Sequence, residues 1–417
     1  MKAEGKMKNE KWKTTPLSDA FWFQEGPGVR NWQFTASGIK LLNVANIERI
    51  GTLNLEKTNR HLDKAEVAKK YSHFLVDDGD LVIASSGISF DDDGLLRTRG
   101  AFVNSSHLPL CLNTSTIRFK AVDGVSDLRF LRHWLDSRDF RSQITKFVTG
   151  SAQQNFGPSH LKATKICLPP LAEQERIAEV LDKAEELRAK RRAALAQLDS
   201  LTQSIFLEMF GDPVTNPRGW NDQTLLGEIA EIVSGITKGR KLTGQKTRSV
   251  PYLAVANVQD RSLNLSGIKS IEATEDEISR YRLIPNDLVL TEGGDPDKLG
   301  RGTLWNSELP ECIHQNHIFR VRLPSEQITP LFANWLIGSP RGKRYFLKSA
   351  KQTTGIASIN MTQLQGFPLL LPPIELQKEF AERVAAVEKL KATQRASLAE
   401  LDTLFASLQH RAFRGEL

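Results

Sequence analysis

The hydrophobic pattern predicts one unusually long helix in the middle of the chain. Residues 171–210 contain neither proline nor glycine, whereas two prolines precede them and Gly211 follows them. Proline suits the start of a helix and glycine its end. In alternating steps of three and four residues from Ile177 to Ile205, eight of the nine positions are apolar. This spacing is typical of a coiled-coil seam, and 1.5 Å per residue makes the helix about 60 Å long.

A second helix of the same kind is predicted at the end of the chain. From Phe380 to Leu408 the same steps meet six apolar residues in nine, and both series are polar at the same step, Arg191 and Gln394. Two matched seams in one chain favour pairing with each other. The alternative, in which each helix packs only on its own domain, stays open. The residues predicted to pair the helices are Ile177, Leu187, Leu198, Leu201, Ile205, Val387, Leu390, Leu401, Leu404 and Leu408.

The chain also repeats itself. The tetrapeptide that begins at Leu168 and opens the first helix recurs 203 residues later at Leu371, and the match continues without a gap to the end of the chain. Weaker matches lie upstream, where 42–47 resembles 253–258. Self-similarity at one long interval indicates a duplicated module. We therefore divide the chain into two globular blocks, each followed by a helix; the four segments are 1–167, 168–211, 212–370 and 371–417.

Each globular block has the pattern of a mixed α/β domain. Short aliphatic and β-branched runs such as 81–84 and 288–291 are typical of strands, and 130–140 and 331–337 of short helices. Glycine-rich loops follow strands at 85–100 and 291–302. The predicted fold class is α+β: two mixed α/β domains and two long antiparallel coiled-coil helices in a pseudo-two-fold, duplicated architecture.

Composition narrows the class of protein. The 417 residues are 40% hydrophobic and 25% charged, as in ordinary globular proteins. No apolar run approaches the ~20 residues that span a bilayer, and the basic N-terminus lacks the apolar stretch of a secretory signal. Three cysteines stand far apart, which favours a reducing compartment, so we expect a cytoplasmic protein without a membrane partner. The net charge of +7 comes from the two blocks, whereas the helical segments are nearly balanced.

No recognisable catalytic or metal-binding motif occurs. The chain has no phosphate loop, no Gly-x-Gly-x-x-Gly, no His-Glu-x-x-His and no Asn/Asp-Pro-Pro-aromatic tetrapeptide of adenine methyltransferases. We therefore expect no catalytic residue, no metal site and no cofactor in this chain. Two other classes stay open: a DNA-modifying enzyme whose site the motifs do not reveal, and a coiled-coil adaptor that binds only protein.

Basic and amide residues on loops form the candidate DNA contacts. Arginine can read guanine, asparagine and glutamine can read adenine, and lysine holds phosphates. Such residues occur at similar places in both blocks, and Arg118 follows the first glycine-rich loop; for any one of them, a merely polar loop stays an alternative. The candidates are Arg30, Asn31, Arg97, Arg99, Gln153, Gln154, Lys238, Arg240, Lys241, Lys298, Arg301, Lys351 and Gln352.

The helix opening resembles that of a known family. Residues 168–178, Leu-Pro-Pro-Leu-Ala-Glu-Gln-Glu-Arg-Ile-Ala, are similar to the Leu-Pro-Pro-Leu-x-Glu-Gln start found in specificity subunits of type I restriction-modification systems. The second copy departs from it at Leu376, where the family commonly has glutamate. The resemblance covers nearly the whole chain and is weakest at 91–116 and 272–284, the parts expected to set target choice.

The resemblance implies a division of labour. Each block would be a target-recognition domain that reads one half of a bipartite, asymmetric sequence in double-stranded DNA. The helices would set the spacer and dock two methyltransferase subunits, which carry the S-adenosylmethionine chemistry. Two restriction subunits, which need ATP and Mg²⁺, would complete the nuclease. The chain itself would be the non-catalytic specificity subunit.

Overall fold

The computed structural model describes residues 12–48, 51–148, 154–295, 298–353 and 356–417. They form two compact units. Unit 1 comprises Met1–Arg192 with Ala396–Leu417, and unit 2 comprises Ala193–Arg395. Each long helix therefore contributes one half to each unit, which the four-segment division did not anticipate. That division stays a prediction about where the folding domains end.

Unit 1 is a mixed α/β domain that includes the first half of the long helix α6 (Leu171–Phe210). Its shorter helices are α1 (Leu17–Ala20), α2 (Lys64–Glu66), α3 (Leu128–Asp136), α4 (Arg138–Thr145) and α5 (Pro158–Lys162). Its strands are β1 (Lys13–Pro16), β2 (Phe21–Glu25), β3 (Phe34–Thr35), β4 (Ile39–Leu41), β5 (His61–Leu62), β6 (Leu81–Ala84), β7 (Ser89–Phe90), β8 (Leu96–Arg97), β9 (Gly100–Phe102), β10 (Leu110–Cys111), β11 (Thr116–Ala121) and β12 (Lys165–Leu168).

Unit 2 has the same composition of elements. Its shorter helices are α7 (Leu226–Ile229), α8 (Glu275–Tyr281), α9 (Pro330–Ile337), α10 (Pro340–Ser349) and α11 (Met361–Gln365), and the second long helix is α12 (Ile374–Ala412). Its strands are β13 (Glu231–Ser234), β14 (Arg248–Leu253), β15 (Val258–Gln259), β16 (Ser262–Leu263), β17 (Lys269–Ala273), β18 (Leu288–Thr291), β19 (Gly293–Gly294), β20 (Gly302–Leu304), β21 (Ile313–His314), β22 (Ile318–Arg322), β23 (Lys351–Thr353) and β24 (Ile356–Ser358).

The sheets repeat the duplication that the sequence indicates. The central sheet of unit 1 has the order β2-β11-β6-β9, and that of unit 2 has the order β13-β22-β18-β20, with antiparallel neighbours throughout. A second sheet in each unit contains one parallel pair, β4 with β10 and β14 with β21. The prediction of two mixed α/β domains in a duplicated architecture is confirmed.

In the repeated motif 42–47, Asn46 stabilises a tight turn. The buried Asn46 side chain accepts from the Asn43 N–H at 2.9 Å and donates to the Asn54 carbonyl at 2.9 Å. Asn257 does the same in unit 2, between the Ala254 N–H and the Asn264 carbonyl, both at 2.8 Å. A buried amide with both ends paired holds a loop in one conformation.

A buried glutamine fastens the start of each long helix. In unit 1, Gln174 is fully buried; its Oε1 accepts from the Asp127 N–H at 3.0 Å, and its Nε2 donates to the carbonyls of Val125 and Pro169. Gln377 makes the corresponding bonds in unit 2, to the Thr329 N–H and to the carbonyls of Gln327 and Pro372. This explains the glutamine of the repeated helix opening, because the amide joins the helix to the loop ahead of α3 or α9.

Removing this amide should destabilise unit 1. The Gln174→Ala change leaves one buried N–H and two carbonyls without their partner, which costs about 1–3 kcal/mol for a buried donor or acceptor. Urea unfolding of the whole chain should show a lower midpoint for the transition of unit 1. Gln197→Ala, at an exposed position of the same helix, is the control and should stay within about 0.5 kcal/mol. Equal midpoints for the two variants would contradict the anchoring role.

Within each unit the two long helices run antiparallel and are joined by an ion pair at corresponding positions of the repeat. In unit 1, Arg188 Nε lies 2.6 Å from Asp402 Oδ1, and the guanidinium covers the Phe405 ring at 4.3 Å. In unit 2, Lys391 Nζ lies 2.8 Å from Asp199 Oδ1. At the 203-residue interval of the repeat, Lys391 corresponds to Arg188 and Asp402 to Asp199. The duplication therefore repeats the ion pair with the roles of the helices exchanged.

The predicted seam is wrong at four of its ten pairing residues. Four of its leucines are substantially exposed, at 41% to 53%: Leu187, Leu201, Leu390 and Leu404. The next residue along the helix faces inward instead; Arg188 and Lys391 lie there, and Lys391 is only 6% exposed. The hydrophobic pattern assigned Leu187 and Leu390 to the seam. In the structure, Arg188 and Lys391, the charged residues that follow them, face inward and form ion pairs. Ile177, Ile205 and Val387 are buried, and Leu198, Leu401 and Leu408 are partly buried.

Two aspartate substitutions test which side of α6 is buried. Leu198 packs against the core of unit 2, whereas Leu201 is 44% exposed. Leu198→Asp should lower the free energy of unfolding by about 2 kcal/mol or more, because a carboxylate replaces packed apolar surface. Leu201→Asp, the matched control, should change it by less than about 0.5 kcal/mol. Chemical denaturation checks both, and an equal loss of stability in the two variants would restore the predicted seam, which contains both leucines.

Candidate nucleic-acid interface

The loops that follow β2 and β6 and the segment that contains Phe156 meet at one end of the central sheet of unit 1. After β2, the Gly26 N–H donates to the Thr116 carbonyl at 3.2 Å. After β6, the Ser85 N–H donates to the Ser115 carbonyl at 2.9 Å, and the Ser85 carbonyl accepts from the Phe156 N–H at 3.0 Å. Loops that are distant in sequence therefore form one continuous surface in unit 1.

Unit 2 builds an equivalent surface, in which the bonds of Glu292 correspond to those of Ser85, whereas the Ile236 N–H has no counterpart because unit 1 has Pro27 there. The Ile236 N–H donates to the His314 carbonyl at 2.8 Å, and the Glu292 N–H donates to the His317 carbonyl at 3.0 Å. The Ile359 N–H then donates to the Glu292 carbonyl at 2.9 Å, so that Glu292 takes the place of Ser85. We call these two loop surfaces recognition faces 1 and 2.

A glycine at the start of each face permits the close approach of two strand ends. A Cβ atom on Gly26 would lie 2.4 Å from the Asn113 nitrogen, and one on Gly235 would lie 2.0 Å from the His314 carbonyl oxygen. Neither distance is compatible with a side chain. The close packing therefore requires glycine after β2 and after β13. This packing fixes the main-chain position at which each of the following basic loops begins.

Recognition face 1 contains a polar cleft of about 480 Å³. Its lining includes Glu25, Ser86, Asn155 and His160. Burial raises the pKa of Glu25 from its ordinary value, because the charged carboxylate loses hydration. The cleft offers both hydrogen-bond donors and acceptors, which is the chemistry needed to read polar groups.

Beneath recognition face 2 lies a fully buried histidine. Burial lowers the pKa of His314 to about 4, so the imidazole is neutral at neutral pH. Its Nδ1–H donates to the Ile318 carbonyl at 2.9 Å, which ties the end of β21 to the start of β22. The sequence analysis did not identify His314, and only its position within an apolar strand hinted at burial.

Most predicted contacts of unit 1 are accessible to solvent, although Arg97 lines a different cleft, beside Asp136 and Arg141. Arg30, Asn31 and Arg97 are exposed, and Gln154 is partly exposed. Arg99 is partly buried and donates to the Gly87 carbonyl at 3.2 Å. Gln153 lies outside the described residues. The sequence analysis missed Trp32, which is 81% exposed beside Asn31; an aromatic side chain flanked by basic and amide residues was the available signal.

Some predicted contacts of unit 2 are exposed to solvent, and some of them interact with other side chains of the unit. Lys238, Lys241 and Lys298 are exposed; Lys298 is paired with Asp295, and Lys238 lies over the Tyr252 ring at 5.1 Å. Arg301 is partly buried, with its Nη1 3.4 Å from Gln259 Oε1. The described side chains do not include those of Lys351 and Gln352, whose backbone forms part of β23.

Two arginines proposed from the sequence have structural partners. Arg240 holds Glu277 through two hydrogen bonds of 2.5 and 2.7 Å, which lowers the pKa of that carboxyl group. The guanidinium of Arg240 secures the loop, and its assignment as a DNA contact stays a prediction. Arg118 is buried in β11, where it donates to the His73 carbonyl and contacts Asp80; Arg320 occupies the corresponding position of β22.

The described residues contain no cluster of histidine, cysteine and carboxylate side chains that could hold a metal ion. Nor does any helix among them combine the length and apolar character needed to span a membrane. What the faces offer is therefore an array of exposed basic, amide and hydroxyl groups on loops that the main chain holds in place. Such an array is suited to binding a polar, negatively charged partner.

Comparison with known families gives two matches within this chain. The model of the type I restriction modification DNA specificity domain matches residues 9–197 and again residues 217–402. The two matches together cover most of the chain and coincide with the repeat. They also include the loops of both recognition faces.

Individual relatives are similar at low identity. The type I restriction enzyme StySPI specificity subunit of Salmonella potsdam is 26% identical over 304 residues, 69% of this chain and 65% of that protein. The EcoKI specificity subunit of Escherichia coli K12 is 25% identical over 303 residues, with the same coverage. The chain thus spans slightly less than two thirds of these curated relatives. The S subunit of a type I system from M. genitalium has the same fold, with a TM-score of 0.55, 16% identity and 99% of each chain covered.

Loss of one exposed lysine on the loop after β13 should weaken nucleic-acid binding. Lys241→Ala is expected to lower the affinity for duplex DNA and to reduce the slope of log K against log salt by about one unit, as the loss of one phosphate contact does. Lys378→Ala removes the same charge near the start of α12 and is the matched control. Titrations at several salt concentrations check this, and equal slopes in both variants would exclude Lys241 as a contact.

Proposed function

We propose, since this chain belongs to the type I restriction modification DNA specificity family, that it selects the DNA target of a restriction-modification complex. Each recognition face reads one half of a bipartite sequence in double-stranded DNA. Because the side chains of the two faces differ, the two half-sites differ and the target is asymmetric. The helices set the length of the spacer between them.

One observation carries this proposal. The loops of each unit are held by equivalent main-chain hydrogen bonds, at Ser85 and Phe156 in unit 1 and at Glu292 and Ile359 in unit 2. The side chains that the loops present differ between the units. A constant frame with variable side chains suits sequence reading, because base edges discriminate through side-chain hydrogen bonds. An enzyme or a protein-only adaptor needs no such duplicated frame.

The same proposal assigns the chemistry to partners. Two methyltransferase subunits, which use S-adenosylmethionine, dock on the helices, and two ATP- and Mg²⁺-dependent restriction subunits join them in the cytoplasm. The four exposed leucines, at 187, 201, 390 and 404, support docking, because apolar side chains on a helix surface gain free energy when a partner covers them. The chain itself takes no part in bond making or breaking.

Exchange of one block tests the proposal. The chain is expressed with its methyltransferase subunit, and methylated adenines are mapped by sequencing. Replacement of residues 1–167 by those of a relative should change one half of the target and leave the other half and the spacer unchanged. The matched replacement of residues 212–370 should change only the other half. Changes in both halves after a single exchange, or the absence of any bipartite motif with the wild-type chain, would refute the proposal.

A further inference from the structure

Recognition face 2 carries a partly exposed carboxylate where its loops meet. Glu292 follows β18, and its Oε2 lies 2.5 Å from Nδ1 of His317 in the loop before β22. The two side chains are 31% and 56% exposed. The main chain of Glu292 also holds the loop on both sides, through His317 and Ile359. The carboxylate is therefore fixed at the point where three segments of the face meet.

The two corresponding residues on recognition face 1 are uncharged, although Glu25 lines the cleft beside them. Ser85 and Ser115 make the same main-chain bond as Glu292 and His317, and Phe156 bonds to Ser85 as Ile359 bonds to Glu292. The backbone frame is thus common to both faces, whereas a pair of hydroxyl groups in one is replaced by a carboxylate and an imidazole in the other. The two faces therefore differ in hydrogen-bonding character at these two positions.

Electrostatics restricts what Glu292 can contact. A carboxylate is repelled by phosphates and lowers the affinity of a basic surface for the DNA backbone. In the major groove, however, cytosine and adenine present amino groups that donate hydrogen bonds, and carboxylates are known to accept from N4 of cytosine. A carboxylate at the centre of a DNA-binding face is therefore favourable where it meets a base edge.

We propose that Glu292 is a specificity-determining residue of face 2, whose carboxylate accepts a hydrogen bond from the N4 amino group of a cytosine. This inference rests on the proposed function. His317 acts as a positioning residue, because it holds Oε2 and leaves Oε1 available to the base. Face 1, with Ser85 and Ser115 at the same positions, lacks this requirement for cytosine in its own half-site.

The test maps methylation by the complex of the full chain and its methyltransferase subunit. With Glu292→Gln, the half-site that changes when residues 212–370 are exchanged should lose its preference for cytosine at one position, by roughly ten- to hundredfold. The other half-site and the spacer should stay unchanged. Glu326→Gln removes the same charge from an exposed position of unit 2 and should leave the whole motif intact.

A second variant distinguishes the loss of a base contact from a local folding defect. The double change Glu292→Ser with His317→Ser installs the side chains that face 1 carries on the same backbone frame, and it should relax the same single position. If the wild-type complex marks a bipartite sequence and both variants mark that same sequence with unchanged preference, the inference is overturned while the proposed function stands. If the relaxed base pair is not a C·G pair, the assignment to cytosine is wrong. If the wild-type complex marks no bipartite sequence, the proposed function itself fails.

Discussion

The architecture depends on one buried amide in each unit. Gln174 and Gln377 are completely buried. The side-chain amide of each forms hydrogen bonds only with main-chain groups of its own unit. A buried amide that loses these bonds is costly, so the first turn of a long helix has one allowed attachment to the loop before α3 or α9. The two prolines ahead of each helix end the preceding strand or loop. Together they fix where each helix leaves its unit.

The repeated residues and the variable residues have different tasks. Asn46 and Asn257 hold turns, and Arg118 and Arg320 fill the sheets with buried guanidinium groups. These positions maintain a backbone frame that tolerates exchange of the side chains on its loops. A recognition protein benefits from this separation, because its target can change by substitution on the faces without loss of stability in the core.

The fold was largely predictable from the sequence, whereas the site was predictable only as a set of loops. Helix length, the duplication and the positions of the glycine-rich loops follow from local patterns, and the structure agrees with them. The phase of the seam and the role of Arg240 could not be predicted in this way. Both depend on partners far away in sequence, such as Asp402 for Arg188 and Glu277 for Arg240. A hydrophobicity pattern counts a charged residue as exposed, although an ion pair can place it inside.

The exchanged ion pairs have a consequence for the duplication. A single long helix contains both members of the pair, since α6 supplies the cation Arg188 in unit 1 and the anion Asp199 in unit 2. The pairing of Arg188 with Asp402 and of Lys391 with Asp199 is therefore self-complementary, and two copies of a half-length chain would carry both members of each pair. Joining two such copies in one chain requires no new charge at this contact. Because the copies differ in sequence, a substitution on one recognition face leaves the other face unchanged.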